Sequence, residues 1–187
     1  MGSDHNRRIP SVMAPRPVPV NSPLPRSAVA QPPPFSSHDF RQALGQFATG
    51  VTIVTALNAQ NQPVGVTVSS FNSVSLHPPL VLWSMANSAA SLAVFMTCSH
   101  YAVHVLGAEQ KPLAEQFASK GIDRWAGVLH QPGQTGVPLL AGAVATFECF
   151  NRSRYQEGDH VIFVGEVEHC SHQNDMAPLL YHAGKMK

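Results

Sequence analysis

Apolar and polar positions alternate along this chain with two periods, and each change of period marks an element. From Ser36 or Ser37, whose hydroxyl can cap a helix, Phe40, Ala43, Leu44 and Phe47 recur at i, i+3, i+4 and i+7. That spacing predicts a first helix, ended by Gly50. β-Branched runs follow over 51–55 and 64–69, separated by a polar turn over 58–63, and predict a hairpin. A strand over 80–85, a short helix over 88–97 and a strand over 101–106 come next. Helical spacing returns over 109–119 through Leu113, Gln116 and Phe117, whereas 121–138 is rich in glycine and proline and predicts a long surface excursion. Two long β runs, 143–155 and 160–172, meet at Gln156-Glu157-Gly158-Asp159, which has hairpin-turn chemistry. The expected fold is mainly β with short helices. Strands joined by tight turns favour an antiparallel sheet, and closing it as a barrel removes its exposed edges.

The first 35 residues read differently. Nine of the sixteen prolines lie there, removing backbone donors and fixing φ too often for helix or sheet. The segment is expected to be a flexible tail, either extended polyproline-like chain or chain packed along a partner subunit, with the folded domain over 36–187. Arg7-Arg8 is not expected to open an export signal, because the run after it is broken by prolines. No apolar run is long enough to span a membrane. A formal charge of +1 with 12% charged residues offers no broad field for nucleic acid. Cys98, Cys149 and Cys170 are widely spaced and are expected to be buried, reduced thiols of a cytoplasmic protein. His169 and His172, three apart on one strand, point to opposite faces and predict no metal site.

The candidate chemistry begins at 65–75, where three hydroxyls close together, those of Thr67, Ser69 and Ser70, stand among small residues at a strand end. Short hydroxyls and free main-chain groups on a rigid strand end suit a planar ring with alternating donors and acceptors, such as the pyrimidine edge of a flavin. Phe47-Ala48-Thr49-Gly50-Val51-Thr52-Ile53-Val54-Thr55, the stretch 66–75 and Pro78-Pro79-Leu80-Val81-Leu82 together resemble the flavin reductase-like family. Further segments match in the same order: Leu113-Ala114-Glu115-Gln116-Phe117, Asp123-Arg124-Trp125-Ala126-Gly127, 158–167 and Pro178-Leu179-Leu180-Tyr181.

That resemblance implies an FMN-binding split β-barrel that forms a homodimer and uses NADH or NADPH to reduce FMN, with FAD also possible. Reduced flavin would pass to a separate monooxygenase component. Thr67, Val68, Ser69 and Ser70 match the family's flavin-ring segment, with Ser84 and Met85 ending the neighbouring strand. Asn87, Ser88 and Ser91 open the next helix, where free N–H groups and the helix dipole favour a phosphate. In Gly158-Asp159-His160 the histidine is the candidate for orienting the nicotinamide carboxamide. Four positions depart from the family pattern: His77, Trp83, His104 and Trp125. His104 is expected to be a buried histidine with its hydrogen bonds satisfied. The alternatives are a flavin-holding electron carrier of the same fold, and a relative of the pyridoxamine-phosphate oxidases, which the scarcity of lysine and arginine in the groove segments disfavours.

Overall fold

The structure, a computed structural model, describes residues 33–187, so most of the proline-rich segment lies outside the described residues. The chain opens with α1 (Ser37–Gly45), followed by β1 (Thr49–Gly50), β2 (Thr52–Leu57), β3 (Pro63–Val68), β4 (Asn72–Leu76) and β5 (Pro79–Ala86). Then come α2 (Leu92–Thr97), β6 (His100–Val105), a 3-10 turn (Ala108–Gln110), α3 (Lys111–Ala118), β7 (His130–Pro132) and β8 (Pro138–Leu140). The long strands β9 (Ala145–Glu157) and β10 (His160–His172) precede two short ones, β11 (Leu180–His182) and β12 (Lys185–Met186).

Seven strands form one antiparallel sheet in the order β3-β2-β6-β9-β10-β5-β4. No strand pairing joins β3 to β4 among the described residues, so the sheet has two ends. Alternation along β5 buries Val81, Trp83 and Met85, and along β10 it buries Val161, Phe163 and Gly165. Trp83 stacks on Phe163 at 4.6 Å between ring centroids and meets Phe95 and Tyr101 edge-on. Such aromatic pairs add to the large area the rings already bury. Gly165 is obligatory there, since a Cβ would collide with the Tyr101 hydroxyl and the Cys149 side chain. A second core lies where Ala114 and Phe117 of α3 pack on Val51, Ile53, Leu106, Leu140 and Leu179.

His104 is fully buried on β6 and spans three strands. Its Nδ1 faces the Ile53 carbonyl of β2 at 3.1 Å, and its Nε2 accepts the Leu140 N–H of β8 at 3.1 Å. Both nitrogens are satisfied in the neutral ring, as expected. Burial lowers its pKa from 6.5 to about 4, against smaller opposite effects of the Ile53 carbonyl and Glu148. Neither Trp83 nor His104 reaches a groove.

Several expectations are corrected. The first helix ends at Gly45 rather than Gly50, because the Gly45 carbonyl accepts the Ala183 N–H at 2.8 Å and Thr49–Gly50 pairs with Leu180 and Tyr181. The helix expected over 88–97 starts only at Leu92. Ala89 and Leu92 each donate to a carbonyl three residues back, which makes the preceding stretch a turn. β4 is an additional strand, and the excursion over 121–138 carries β7 paired with β8. Of the three free cysteines, Cys149 is buried, Cys98 is half-buried and Cys170 is exposed on the outer end of β10. Among the described residues no helix is long and apolar enough to cross a membrane.

Candidate functional site

β3 is an edge strand, so half of its main-chain groups face away from the sheet. Thr67 on it is half-buried, and its hydroxyl donates to the Ala114 carbonyl of α3 at 2.7 Å. Beyond the strand, the Ser70 hydroxyl accepts the Ser84 N–H at 2.9 Å and donates to the Ser84 carbonyl at 3.0 Å. That hydroxyl ties the chain leaving β3 to β5 near the other end of the sheet order. Val68 packs against the core and Met85 is buried within it, which leaves their main chains as the groups able to meet a ligand.

Two grooves flank this tie. The first, of about 500 Å³, is lined by Val66, Thr67, Ser88, Ser91, Lys120 and Arg124, among others. The second, of about 640 Å³, is lined by Ser69, Ser70, Ser84, Phe47, Thr49 and Tyr181, among others. Both fall within the roughly 300–1,000 Å³ of small-molecule sites. Ser91 lines the first groove, but its hydroxyl oxygen is itself buried; it has no hydrogen-bond partner among the described residues and does not cap α2.

Lys120 was not singled out in the sequence, and Arg124, although it lies in the family-matching run Asp123-Arg124-Trp125-Ala126-Gly127, was given no position at the site. Arg124 is fastened by its Nε to the Ser119 carbonyl at 2.8 Å and by its Nη1 to the Gly65 carbonyl at 3.0 Å. Neither cation is ion-paired with a carboxylate among the described residues. The scarcity of basic residues at the groove is therefore corrected. The available signal was the pair of cations within Ser119-Lys120-Gly121-Ile122-Asp123-Arg124, directly after a helix end.

Gly158, Asp159 and His160 form the β9–β10 turn, with Gly158 at φ 57, where glycine is unstrained. His160 pairs across the ladder with Ala86, and the Asn87 N–H donates to the Asp159 carbonyl at 2.8 Å. The turn thus sits beside the chain leading to Ser88, although Asn87, Gly158, Asp159 and His160 line neither groove. His160 Nδ1 lies 2.6 Å from Asp159 Oδ1. This hydrogen bond is the main reason the Asp159 carboxyl is held below its ordinary range. An ionised carboxylate only accepts, so Nδ1 carries the proton and Nε2 is left as an acceptor in the neutral ring.

Fold and site together define a mainly β protein with open, hydroxyl-lined grooves at its strand ends, one of them edged by two cations. The chain belongs to the flavin reductase-like domain family, whose sequence pattern it matches over residues 44–187. It is 42% identical over 161 residues to the FMN reductase (NADH) SmoA of Agrobacterium fabrum, covering 86% of this chain and 91% of that protein. Among solved structures it resembles an NADH:FAD oxidoreductase of Streptomyces globisporus C-1027, determined with NAD and FAD fragments. The TM-score is 0.76 at 38% identity, covering 80% of this chain and 90% of that one. The styrene monooxygenase flavin reductase of Pseudomonas putida S12 is similar at TM-score 0.74 and 34% identity, over 80% of this chain and 96% of that one.

Proposed function

We propose that this chain is an NAD(P)H:flavin oxidoreductase that supplies reduced flavin to a separate monooxygenase. One observation carries most of the weight: Thr67, Ser88 and Ser91, far apart in sequence, line one groove with Lys120 and Arg124. Hydroxyls and main-chain groups suit the polar edge of a flavin, and cations with no carboxylate partner among the described residues suit its phosphate. The residues present therefore fit the cofactor. Bound flavin, FMN or FAD, supplies the hydride acceptor. The chain's own task is positional, holding two flat rings in contact and excluding water, so no acid or base is required of it.

In this proposal the main chain of Thr67, Val68, Ser69 and Ser70, with that of Ser84 and Met85, meets the ring. Asn87, Ser88 and Ser91 receive the phosphate beside Lys120 and Arg124. Gly158 and Asp159 set the turn from which His160 Nε2 accepts a hydrogen bond from the nicotinamide carboxamide. The fold is the split β-barrel, a reading supported by the Ser70–Ser84 tie between the two sides of the sheet. The domain covers 36–187, consistent with Ser37–Lys187 forming one compact unit. A homodimer is supported by exposed apolar side chains, Leu44 at 57% and Phe47 at 73%, on the rim of the second groove. Three free cysteines fit a cytoplasmic location.

Mixing purified protein, NADH or NADPH and FMN under air tests the activity. The nicotinamide absorbance should decay in proportion to protein concentration. Flavin binding without such decay would instead indicate an electron carrier.

A further inference from the structure

Among the described residues Glu148 is the only buried carboxylate, at 5% exposure. It lies on β9 between Ala102 of β6 and His169 of β10, and its side chain takes the sheet face opposite that of Cys149, which belongs to the Trp83 core. A β-bulge in β10 between Val167 and His169 decides its neighbour. Without that extra residue Glu168 would stand opposite Glu148, a destabilising pair of like charges; with it, His169 does. Ser171 then pairs with Thr146, so a carboxylate, an imidazole and two hydroxyls form one polar block on this face.

The β7–β8 turn closes over one side of the block. Gly133 makes the approach possible, since a Cβ there would collide with the Glu148 carboxylate. The Thr135 N–H and hydroxyl donate to Glu148 Oε2 at 2.9 and 2.8 Å, and the Gln134 N–H also faces the carboxylate. Burial opposes its ionisation, but these donors, with His169, hold the carboxyl below its ordinary range. No cation is ion-paired with it among the described residues. A buried charge met only by neutral donors is under-compensated.

The other side of the carboxylate borders a third groove, of about 380 Å³. Thr146, His169 and Ser171 line it with Glu148, and Pro132 and Leu139 supply an aliphatic wall. A carboxylate has about four acceptor sites, and the three donors of the turn leave one for the groove. The hydroxyl oxygens and a neutral imidazole accept as well. The complementary group is a compact cation with several N–H donors on an apolar stem. A metal ion suits the groove less, because no three ligating side chains come together among the described residues.

We propose that this groove binds a small primary ammonium ion, with Glu148 as its counter-ion, Thr146 and Ser171 as further acceptors, and Pro132 and Leu139 along its alkyl stem. The groove shares no lining residue with either groove assigned to the flavin, so the proposal stands independently of that function.

The test is an NMR titration of the isotope-labelled full chain with n-butylammonium chloride, using tetramethylammonium chloride, which has no N–H donor, at equal ionic strength. Butylammonium should produce saturable shifts at the amides of Gly133, Gln134, Thr135, Glu148 and His169, with a Kd on the order of 1 mM. Glu148→Gln should weaken that binding at least tenfold. Thr146→Val, which leaves the carboxylate and the turn in place, should weaken it about three- to tenfold and decides the matter if Glu148→Gln does not fold. Absence of saturation by about 50 mM overturns the proposal. So do equal shifts with tetramethylammonium, which would mean ionic screening alone, an affinity unchanged in Thr146→Val or in folded Glu148→Gln, and a response to zinc chloride with none to butylammonium.

Discussion

At the residue scale, the groove's cations and the buried histidine give the sharpest expectations. Neither Lys120 nor Arg124 is ion-paired with a carboxylate among the described residues, so a phosphate meeting them gains charge-assisted hydrogen bonds of about 1.5–3 kcal/mol each. Lys120→Ala is expected to weaken FMN binding by about ten- to a hundredfold while leaving riboflavin, which lacks the phosphate, unchanged in the same titration. His160→Ala should raise the KM for NADH at least several-fold and leave the flavin Kd within twofold, because its proposed contact is to the nicotinamide alone. Loss of both together in steady-state and binding measurements would remove His160 from the donor side. His104 supplies a pH dependence whose sign is fixed. Its pKa is about 4 in the fold against 6.5 unfolded, so the unfolded chain takes up the proton first. Stability is therefore lost as pH falls from about 6.5 towards about 4, by an amount on the order of 3 kcal/mol at full protonation. Urea denaturation across that range should show the slope, and His104→Asn should flatten it.

At the element scale, the groove depends on how closely α3 approaches β3. Gly65 permits that approach, since a Cβ there would collide with the buried Phe117 ring and press on Trp125. Gly65→Ala should destabilise the fold by about 1–3 kcal/mol, read as a lower urea midpoint with unchanged slope. It should also weaken flavin binding, because Thr67 on β3 and the loop holding Arg124 would separate. The strands were largely legible from sequence: β-branched alternation marked β2, β3, β5, β6, β9 and β10 to within about two residues at each end. What failed was decided by distant partners. The exit from α1 is set by Ala183 and Tyr181 near the C-terminus, and β4 exists because β5 pairs with it. The start of α2 was misjudged because Ser88-Ala89-Ala90 reads equally as a first helical turn and as the tight turn it forms. The candidate site was legible where family motifs sit on strands. Lys120 was not, and neither was the direction of Arg124 within its family-matching run, because a loop's direction depends on anchors such as the Ser119 and Gly65 carbonyls.

At the scale of the whole molecule, one sheet organises everything. Its edge strand β3, the Ser70 tie to β5 and the β9–β10 turn against Asn87 bring three separate sequence segments to one end of the fold. Apolar Leu44 and Phe47 at the rim of the second groove predict that a second copy completes the slot. Light scattering should give twice the chain mass, and Phe47→Glu should shift it towards the monomer and slow flavin reduction together. The central claim is that the grooves between Thr67 and Ser91 hold the flavin. A crystal structure of the chain soaked with flavin tests it most directly. The account predicts isoalloxazine density against the main chain of 67–70, with phosphate between Ser88, Ser91 and Lys120. Flavin density at any other surface, with these grooves filled only by solvent, would contradict it.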